Sequence, residues 1–126
     1  AIDDATLQNG CMYYLPGSQK SECYEDVAIP GPNLARYFEI FPQFKNVEPK
    51  AAEMKAGDAG FHNGLTTHGA GANMTPRWRR AMTCAYMPDG ATFNGIQNIL
   101  SDAQVAKLKI GDLLNDESQN PLVWSA

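Results

Sequence analysis

The chain contains two histidines, His62 and His68. Imidazole is the commonest protein ligand for transition metals, yet neither histidine has a second ligand residue at helical spacing or in a His-x-His pattern. Gly69, Ala70 and Gly71 follow His68, and such small residues let a ligand approach the backbone closely. A lone histidine near a strand end is more often a surface or hydrogen-bonded core residue, so both interpretations stay open for His68. We interpret His62 as structural.

A basic pair, Arg79 and Arg80, follows on the next predicted strand. Successive strand side chains point to opposite faces, so the two guanidinium groups are expected on different faces. A planar guanidinium binds both oxygens of a carboxylate, and its burial without such an anion is costly. If the strands of His68 and Arg79 belong to one barrel, both side chains could face a common cavity. The alternative is that the arginines are solvated, which we expect of one of the two.

The elements that would position these residues are short. Eleven glycines, eight prolines and brief apolar stretches are typical of an all-β chain. Asn9-Gly10 is a strong turn signal. Ser101 and Gln104 have the spacing of a capping box, which predicts a short helix over 102–108. Strands are predicted over 11–15, 47–54, 59–62, 66–69 and 79–87, and residues 36–41 could form a strand or a helical turn.

Composition and charge exclude some classes of partner. The net charge of −4 and a pI near 5.0 argue against nucleic acid and against anionic membrane surfaces. No apolar run is long enough to cross a bilayer. Three cysteines without CxxC spacing fit a reducing compartment, which predicts a cytoplasmic location. Asp3 and Asp4 point to opposite faces if they lie on a strand, so we expect a solvated strand end and no catalytic pair.

Three segments resemble the phytanoyl-CoA dioxygenase family. Residues 9–20, NGCMYYLPGSQK, are similar to its NGCL…PGSHK segment, and residues 55–62, KAGDAGFH, to its GD…F-H strand. Residues 68–73, HGAGAN, with RRAMT at 79–83, are similar to its HGSGPN…RRALT segment. The last similarity is the most specific, because it joins a histidine to an arginine at a fixed spacing.

This resemblance implies an all-β fold, a double-stranded β-helix or jelly roll of two facing sheets. The chain would be a single partial domain, residues 1–126, from the C-terminal part of that barrel. Its core strands would lie in 1–88, and an irregular tail over 89–126 would hold the short helix.

The resemblance also implies an Fe(II)- and 2-oxoglutarate-dependent dioxygenase that hydroxylates a small organic substrate. Family members bind iron through an upstream His-x-Asp and a downstream histidine. His68 matches the downstream histidine. Arg79 matches the arginine that holds the distal carboxylate of 2-oxoglutarate.

The chain departs from the family pattern at two points. It contains no His-x-Asp, so we expect this chain alone to be inactive, and to associate with itself or with the missing N-terminal part. Ala70 stands where many members have a serine that helps to hold the co-substrate. These departures leave a second hypothesis, a non-catalytic jelly-roll module that binds a ligand or a partner. A cupin-like barrel with another metal ranks last, because it would need more than two histidines.

Overall fold

The computed structural model describes residues 1–21 and 34–124. The chain divides into two compact units, Ala1–Thr83 and Cys84–Ala126. The elements of the first unit are strands β1 (Met12–Tyr14), β2 (Lys50–Ala52) and β3 (His68–Ala70), helix α1 (Leu34–Ile40), and the 3-10 turns Ser18–Lys20 and Pro42–Phe44. Helix α2 (Asp102–Val105) lies in the second unit.

The three strands form one open antiparallel sheet in the order β2-β1-β3. In the register of this sheet, Tyr14 of β1 lies between Lys50 of β2 and His68 of β3. An isolated bridge between residues 9 and 73 continues the β1–β3 register, and a second one joins Ala5 to Met54 in a different register from β1–β2. The predicted β architecture is confirmed to the extent of this open sheet.

The turn at residues 6–10 leads into β1 as the sequence predicts. Asn9 Oδ1 accepts a hydrogen bond from the Thr6 amide at 2.7 Å, and the Cys11 amide donates to the Thr6 carbonyl at 2.9 Å. Gly10 has a left-handed φ of 87°, which glycine adopts without a Cβ penalty. Its Cα also lies close to Gly71, where a Cβ would come within 2.6 Å of the carbonyl oxygen. The Asn-Gly pair therefore sets both the turn and the close approach of two chain segments.

A small aromatic core supports the sheet from one end. Leu15, Phe41 and Phe44 are buried, and the half-buried side chains that pack against them are Tyr37, Phe38 and Val47. Each buried side chain of this size contributes roughly 1.5–3 kcal/mol by its removal from water. The Tyr37 hydroxyl lies 2.7 Å from Thr67 Oγ1, which joins α1 to the residue preceding β3. The core thus holds the start of the strand that carries His68.

The second unit is built around one bridge and one capped helix. Thr92 and Leu113 form the bridge, and Phe93 and Leu100 are its buried apolar side chains. Gln104 Oε1 accepts a hydrogen bond from the backbone amide at the start of α2, residue 101, at 3.1 Å. The predicted capping pair is confirmed, although α2 ends at residue 105 instead of 108.

Two of the predicted strands are wrong. Residues 59–62 and 79–87 form no ladder among the residues that the structure describes. Their composition is strand-like, but a strand forms only where a neighbouring backbone supplies hydrogen-bond partners. In the second segment, the Arg80 carbonyl accepts bonds from the Ile2 and Asp3 amides, at 3.0 and 3.3 Å, and no ladder follows.

The other predicted elements are present but shorter or shifted. The strand predicted over 47–54 is β2, that over 66–69 is β3, and that over 11–15 is β1. Of residues 36–41, all but Phe41 adopt the helical alternative as part of α1, which ends at Ile40. Within 1–21 and 34–124, no helix combines the length and the apolar character that crossing a membrane requires.

Candidate functional site

His68 lies on the edge strand β3, directly opposite Tyr14 of the central strand. Opposite residues of an antiparallel pair project to the same face, so the register itself brings the two rings together. Their centroids are 5.9 Å apart and their planes are inclined by 29°. The His68 side chain is exposed on its other side, which leaves it accessible to a ligand.

A tight turn over residues 63–66 brings His62 back to His68. The Thr66 amide donates to the Asn63 carbonyl at 2.9 Å, and the Leu65 amide donates to Asn63 Oδ1 at 2.8 Å. Asparagine favours turns because its side chain bonds the backbone two residues further on. The ring centroids of the two histidines lie 4.3 Å apart as a result. The Asn-Gly dipeptide at 63–64 is the sequence signal that could have revealed this pair.

Both imidazoles are held through Nδ1. His68 Nδ1 lies 2.7 Å from the Thr66 carbonyl oxygen, and His62 Nδ1 lies 3.1 Å from the Asn63 carbonyl oxygen. A carbonyl oxygen can only accept, so each Nδ1 carries a proton. The lone pair of each neutral ring is then on Nε2, and no described residue donates a hydrogen bond to either Nε2. Both histidines therefore present Nε2 as the atom that could bind a metal.

Tyr14 separates this histidine pair from a cationic neighbour. Its ring centroid is 5.2 Å from that of His62, and a Cβ at Gly60 would come within 4.0 Å of its hydroxyl, so the chain before His62 runs close over the ring. Lys50 lies on the far side of Tyr14, and its ammonium is 3.1 Å from Glu48 Oε2. The nearest lysine in the register is therefore neutralised by a carboxylate and separated from the imidazoles by an aromatic ring.

Arg80 is occupied by a carboxylate of the same chain. Its Nε and Nη2 donate to Asp3 Oδ2 and Oδ1 at 2.9 and 2.8 Å, and its backbone amide donates to Oδ2 at 2.8 Å. The side-chain bonds first, and the amide bond second, lower the pKa of Asp3 to about 2. The Arg80 side chain is 65% exposed, as expected of one arginine of the pair, and it is in addition paired with Asp3.

Arg79 is half-buried and, within the described ranges, its guanidinium has neither a hydrogen bond nor an ion pair. A shared cavity for Arg79 and His68 stays a prediction. Of the two arginines, Arg79 is the one that could still receive an anion.

Asp4 is exposed and Asp3 is half-buried, so the expected solvent contact is present, but both carboxylates are also hydrogen-bonded. Asp4 Oδ1 accepts the Ala56 amide at 2.8 Å and Asp4 Oδ2 accepts Lys55 Nζ at 2.9 Å, and these bonds lower the pKa of Asp4. The adjacent carboxylates thus fasten the start of the chain to two different segments, around residues 55 and 80.

The loop between β3 and Arg79 is ordered by an asparagine. Asn73 Oδ1 accepts bonds from the amide and the hydroxyl of Thr75, at 2.9 and 2.8 Å, and its Nδ2 donates to the Arg77 carbonyl at 2.8 Å. This loop borders an open cleft of about 470 Å³, which contains neither His68 nor Arg79. The cleft is lined by Asp3, Asp4, Asn9, Thr75, Pro76, Arg77 and Trp78.

A family model for phytanoyl-CoA dioxygenase (PhyH) matches residues 1–81, nearly two-thirds of the chain. The chain belongs to this family. The resemblance seen in its motifs is thereby confirmed.

Curated relatives carry the same family name. A probable phytanoyl-CoA dioxygenase of Caenorhabditis elegans is 31% identical over 98 residues, which is 71% of this chain and 29% of the relative. A phytanoyl-CoA dioxygenase domain-containing protein 1 homolog of the same organism is 29% identical over 92% of this chain and 42% of the relative. A phytanoyl-CoA dioxygenase of Arabidopsis thaliana is 31% identical over 64% of this chain and 28% of the relative. The chain therefore spans less than half the length of these relatives. No solved structure matches it significantly.

Proposed function

We propose that the protein containing this chain is an Fe(II)- and 2-oxoglutarate-dependent dioxygenase that hydroxylates a small organic substrate. Membership of the phytanoyl-CoA dioxygenase family supports the reaction class. The observation that carries the proposal in this chain is the setting of His68. Its Nδ1 is fixed by the Thr66 carbonyl, and the residue is exposed on β3, with no hydrogen bond from a described residue to Nε2. A backbone carbonyl that orients the non-ligating nitrogen is the usual support of a metal-binding histidine.

The residues of this chain fit part of an iron site. His68 can supply one nitrogen ligand through Nε2. Over residues 1–21 and 34–124, no group of three or more histidine, cysteine, aspartate or glutamate side chains could enclose a metal. The sequence also lacks a His-x-Asp. Because the chain covers less than half of its relatives, we propose that the other iron ligands lie in a part of the protein outside this chain.

Arg79 is proposed to bind the distal carboxylate of 2-oxoglutarate. Two nitrogens of the Arg80 guanidinium, Nε and Nη2, already donate hydrogen bonds to the Asp3 carboxylate, which also pairs with its charge. Arg79 is half-buried without an ion-pair partner among the described residues, and a carboxylate would offset the cost of that burial. The contrast between the two neighbours supports Arg79 as the anion-binding member.

The roles follow from this arrangement. Iron, when bound, would supply the activation of O2, of which one atom enters succinate as 2-oxoglutarate loses carbon dioxide and the other enters a C–H bond of the substrate. His68 would hold one coordination position, kept in orientation by the Thr66 carbonyl. Arg79 would fix the far end of the co-substrate, so that its reactive end lies at the metal.

The jelly roll itself belongs to the proposal. The open sheet β2-β1-β3 would be part of one face of a double-stranded β-helix. Its outer edges would pair with strands from elsewhere in the intact protein, or with a second copy of it. A cytoplasmic location and a small-molecule substrate, without nucleic acid or membrane partners, complete the proposal.

A non-catalytic jelly-roll module is the second candidate. Two observations favour it: within the described ranges no group of three or more ligand side chains could hold a metal, and Ala70 has no hydroxyl to offer the co-substrate. Such a module would keep Arg79 as an anion-binding group and would bind a carboxylate without turning it over.

The test uses the intact protein and three variants. Changing His68 to Ala is expected to abolish succinate formation from 2-oxoglutarate with Fe(II). Changing Arg79 to Ala removes charge-assisted hydrogen bonds worth about 1.5–3 kcal/mol, so the KM for 2-oxoglutarate is expected to rise roughly tenfold or more. Arg80→Ala is the matched control, and it is expected to lower stability through loss of the Asp3 ion pair while the KM stays near the wild-type value.

Normal turnover by the His68 variant would refute the iron-ligand assignment. A KM for 2-oxoglutarate that stays the same in the Arg79 variant, or rises equally in the Arg80 variant, would refute the assignment of the carboxylate. Binding of 2-oxoglutarate without any succinate in the wild-type protein would favour the non-catalytic module.

A further inference from the structure

The turn at residues 63–66 does more than reverse the chain. Its first and last carbonyls, those of Asn63 and Thr66, are the two groups that accept hydrogen bonds from the imidazoles of His62 and His68. The same turn is closed by the bond between the Thr66 amide and the Asn63 carbonyl at 2.9 Å. One four-residue turn therefore fixes the tautomer of two histidines and holds their rings 4.3 Å apart.

From this geometry we propose that His62 and His68 form a two-histidine site for a divalent cation that prefers nitrogen ligands, of which Zn²⁺ is the case to test. Each histidine offers the lone pair of Nε2. Imidazole nitrogen suits Zn²⁺ and the neighbouring late first-row cations, which bind it at about 2.0–2.1 Å. Both side chains are exposed, so a cation can reach them and water can complete its coordination.

The surroundings of the pair do not oppose a cation. The Tyr14 ring lies against both imidazoles, with centroids at 5.2 and 5.9 Å, and it presents an aromatic face instead of a positive charge. The ammonium of Lys50, on the far side of that ring, is paired with Glu48. The orienting carbonyls are also the outer support that raises the basicity of a ligating histidine.

The site shares one residue with the proposed iron site and adds another. His68 belongs to both, whereas His62 has no role in the proposed iron chemistry. Zinc held by the pair would therefore exclude iron from His68. That competition rests on the proposed function, but the two-histidine site does not.

The experiment is a titration of the intact, metal-free protein with Zn²⁺. It is followed by calorimetry and by NMR of protein carrying ¹⁵N-labelled histidine. The ring signals of both His62 and His68 are expected to move with the same saturation curve. The His62→Gln variant is expected to bind Zn²⁺ at least about tenfold more weakly, since altering even an outer-shell partner of a metal ligand costs that much or more. Phe61→Ala, an exposed change beside His62, is the matched control and is expected to bind as the wild type does.

The outcomes separate the two proposals. The two-histidine site is overturned if zinc shifts the ring signals of His68 alone. It is also overturned if the His62 and Phe61 variants bind zinc with the same affinity. The wild-type NMR spectrum decides the first point without any substitution, so a variant that fails to fold does not block the test. If both rings bind Zn²⁺ but the protein consumes no 2-oxoglutarate with Fe(II), the two-histidine site stands and the proposed function fails. If Fe(II) supports turnover and zinc does not shift the His62 signals, the proposed function stands and the two-histidine site fails.

Discussion

Replacing Gly10 with alanine tests the close approach of the backbone at Gly10 to that at Gly71. Gly10 has a φ of 87°, and a Cβ there would lie 2.6 Å from the Gly71 carbonyl oxygen. Gly71 begins the segment that leads from β3 toward Arg79, and its amide donates to the Cys11 carbonyl at 3.0 Å. A methyl group at residue 10 would therefore push β1 away from the segment that follows His68.

The expected loss of stability combines three effects. The left-handed conformation costs an alanine roughly 1–2 kcal/mol, partly offset by about 0.4–1 kcal/mol from a less flexible unfolded chain. Relief of the clash displaces backbone, at a cost of about 1–3 kcal/mol, and strains the hydrogen bond from Gly71 to Cys11, worth about 0.5–1.5 kcal/mol. We expect Gly10→Ala to lower the free energy of unfolding by roughly 1.5–6 kcal/mol.

Gly17 provides the matched control. Its φ of 82° is similar, but no atom lies within 4 Å of the position that a Cβ would take. Gly17→Ala should therefore lower the free energy of unfolding by about 1 kcal/mol or less, since only the conformational cost remains. Urea unfolding of the intact protein, with equal m-values in both variants, measures the difference. Equal losses for the two variants would show that the approach of Gly10 to Gly71 has been assigned incorrectly.

Two further predictions concern the core and the start of the chain. Phe41 is 3% exposed, so Phe41→Ala should lower the free energy of unfolding, measured with urea, by about 3–5 kcal/mol. The same change at half-buried Phe38 should cost clearly less, and equal losses would contradict the described core. The Asp3 pKa of about 2 lies below its ordinary value of 3.8, so the stabilisation by Arg80 is complete above about pH 4 and is lost as the pH falls through 2. The stability gap between the wild type and Asp3→Asn, measured by urea unfolding, should therefore shrink between pH 5 and pH 2.5, and a constant gap would exclude the Asp3–Arg80 pair as its source.

Local signals in the sequence predicted local structure well. Asn9-Gly10 gives the turn before β1, and Ser101 with Gln104 gives the cap of α2, because each depends only on residues a few positions apart. The strands predicted over 59–62 and 79–87 failed because a strand requires a partner, and composition does not say whether one is near. The ion pair of Asp3 with Arg80 joins residues 77 positions apart, and no pattern in the sequence pointed to it.

The candidate site was predicted in its parts but not in its arrangement. Motif similarity singled out His68 and Arg79, and their proposed roles still await a test. The closeness of His62 to His68 depends on hydrogen bonds of Asn63. Its side chain accepts a bond from Leu65 and its carbonyl accepts one from His62, so the chain turns between two histidines that are six positions apart. Turn chemistry at Asn63-Gly64 was available in the sequence, but only the coordinates show which side chains that turn brings together.

The position of β3 at the rim of the sheet has a thermodynamic consequence. Its ladder partner in the described structure is β1 alone, so its three residues are expected to open more readily than the centre of the sheet, and amide hydrogen exchange reports that opening. The imidazole of His68 moves with this backbone, so a ligand that needs the closed arrangement makes opening harder. At a ligand concentration 100-fold above Kd, the free energy of opening rises by about 2.7 kcal/mol. Antiparallel pairing alternates, so the amides of Gly69 and Gly71 face β1 whereas those of His68 and Ala70 do not. Slower exchange at Gly69 and Gly71 would therefore report occupancy of the site, even when the rest of the fold stays unchanged.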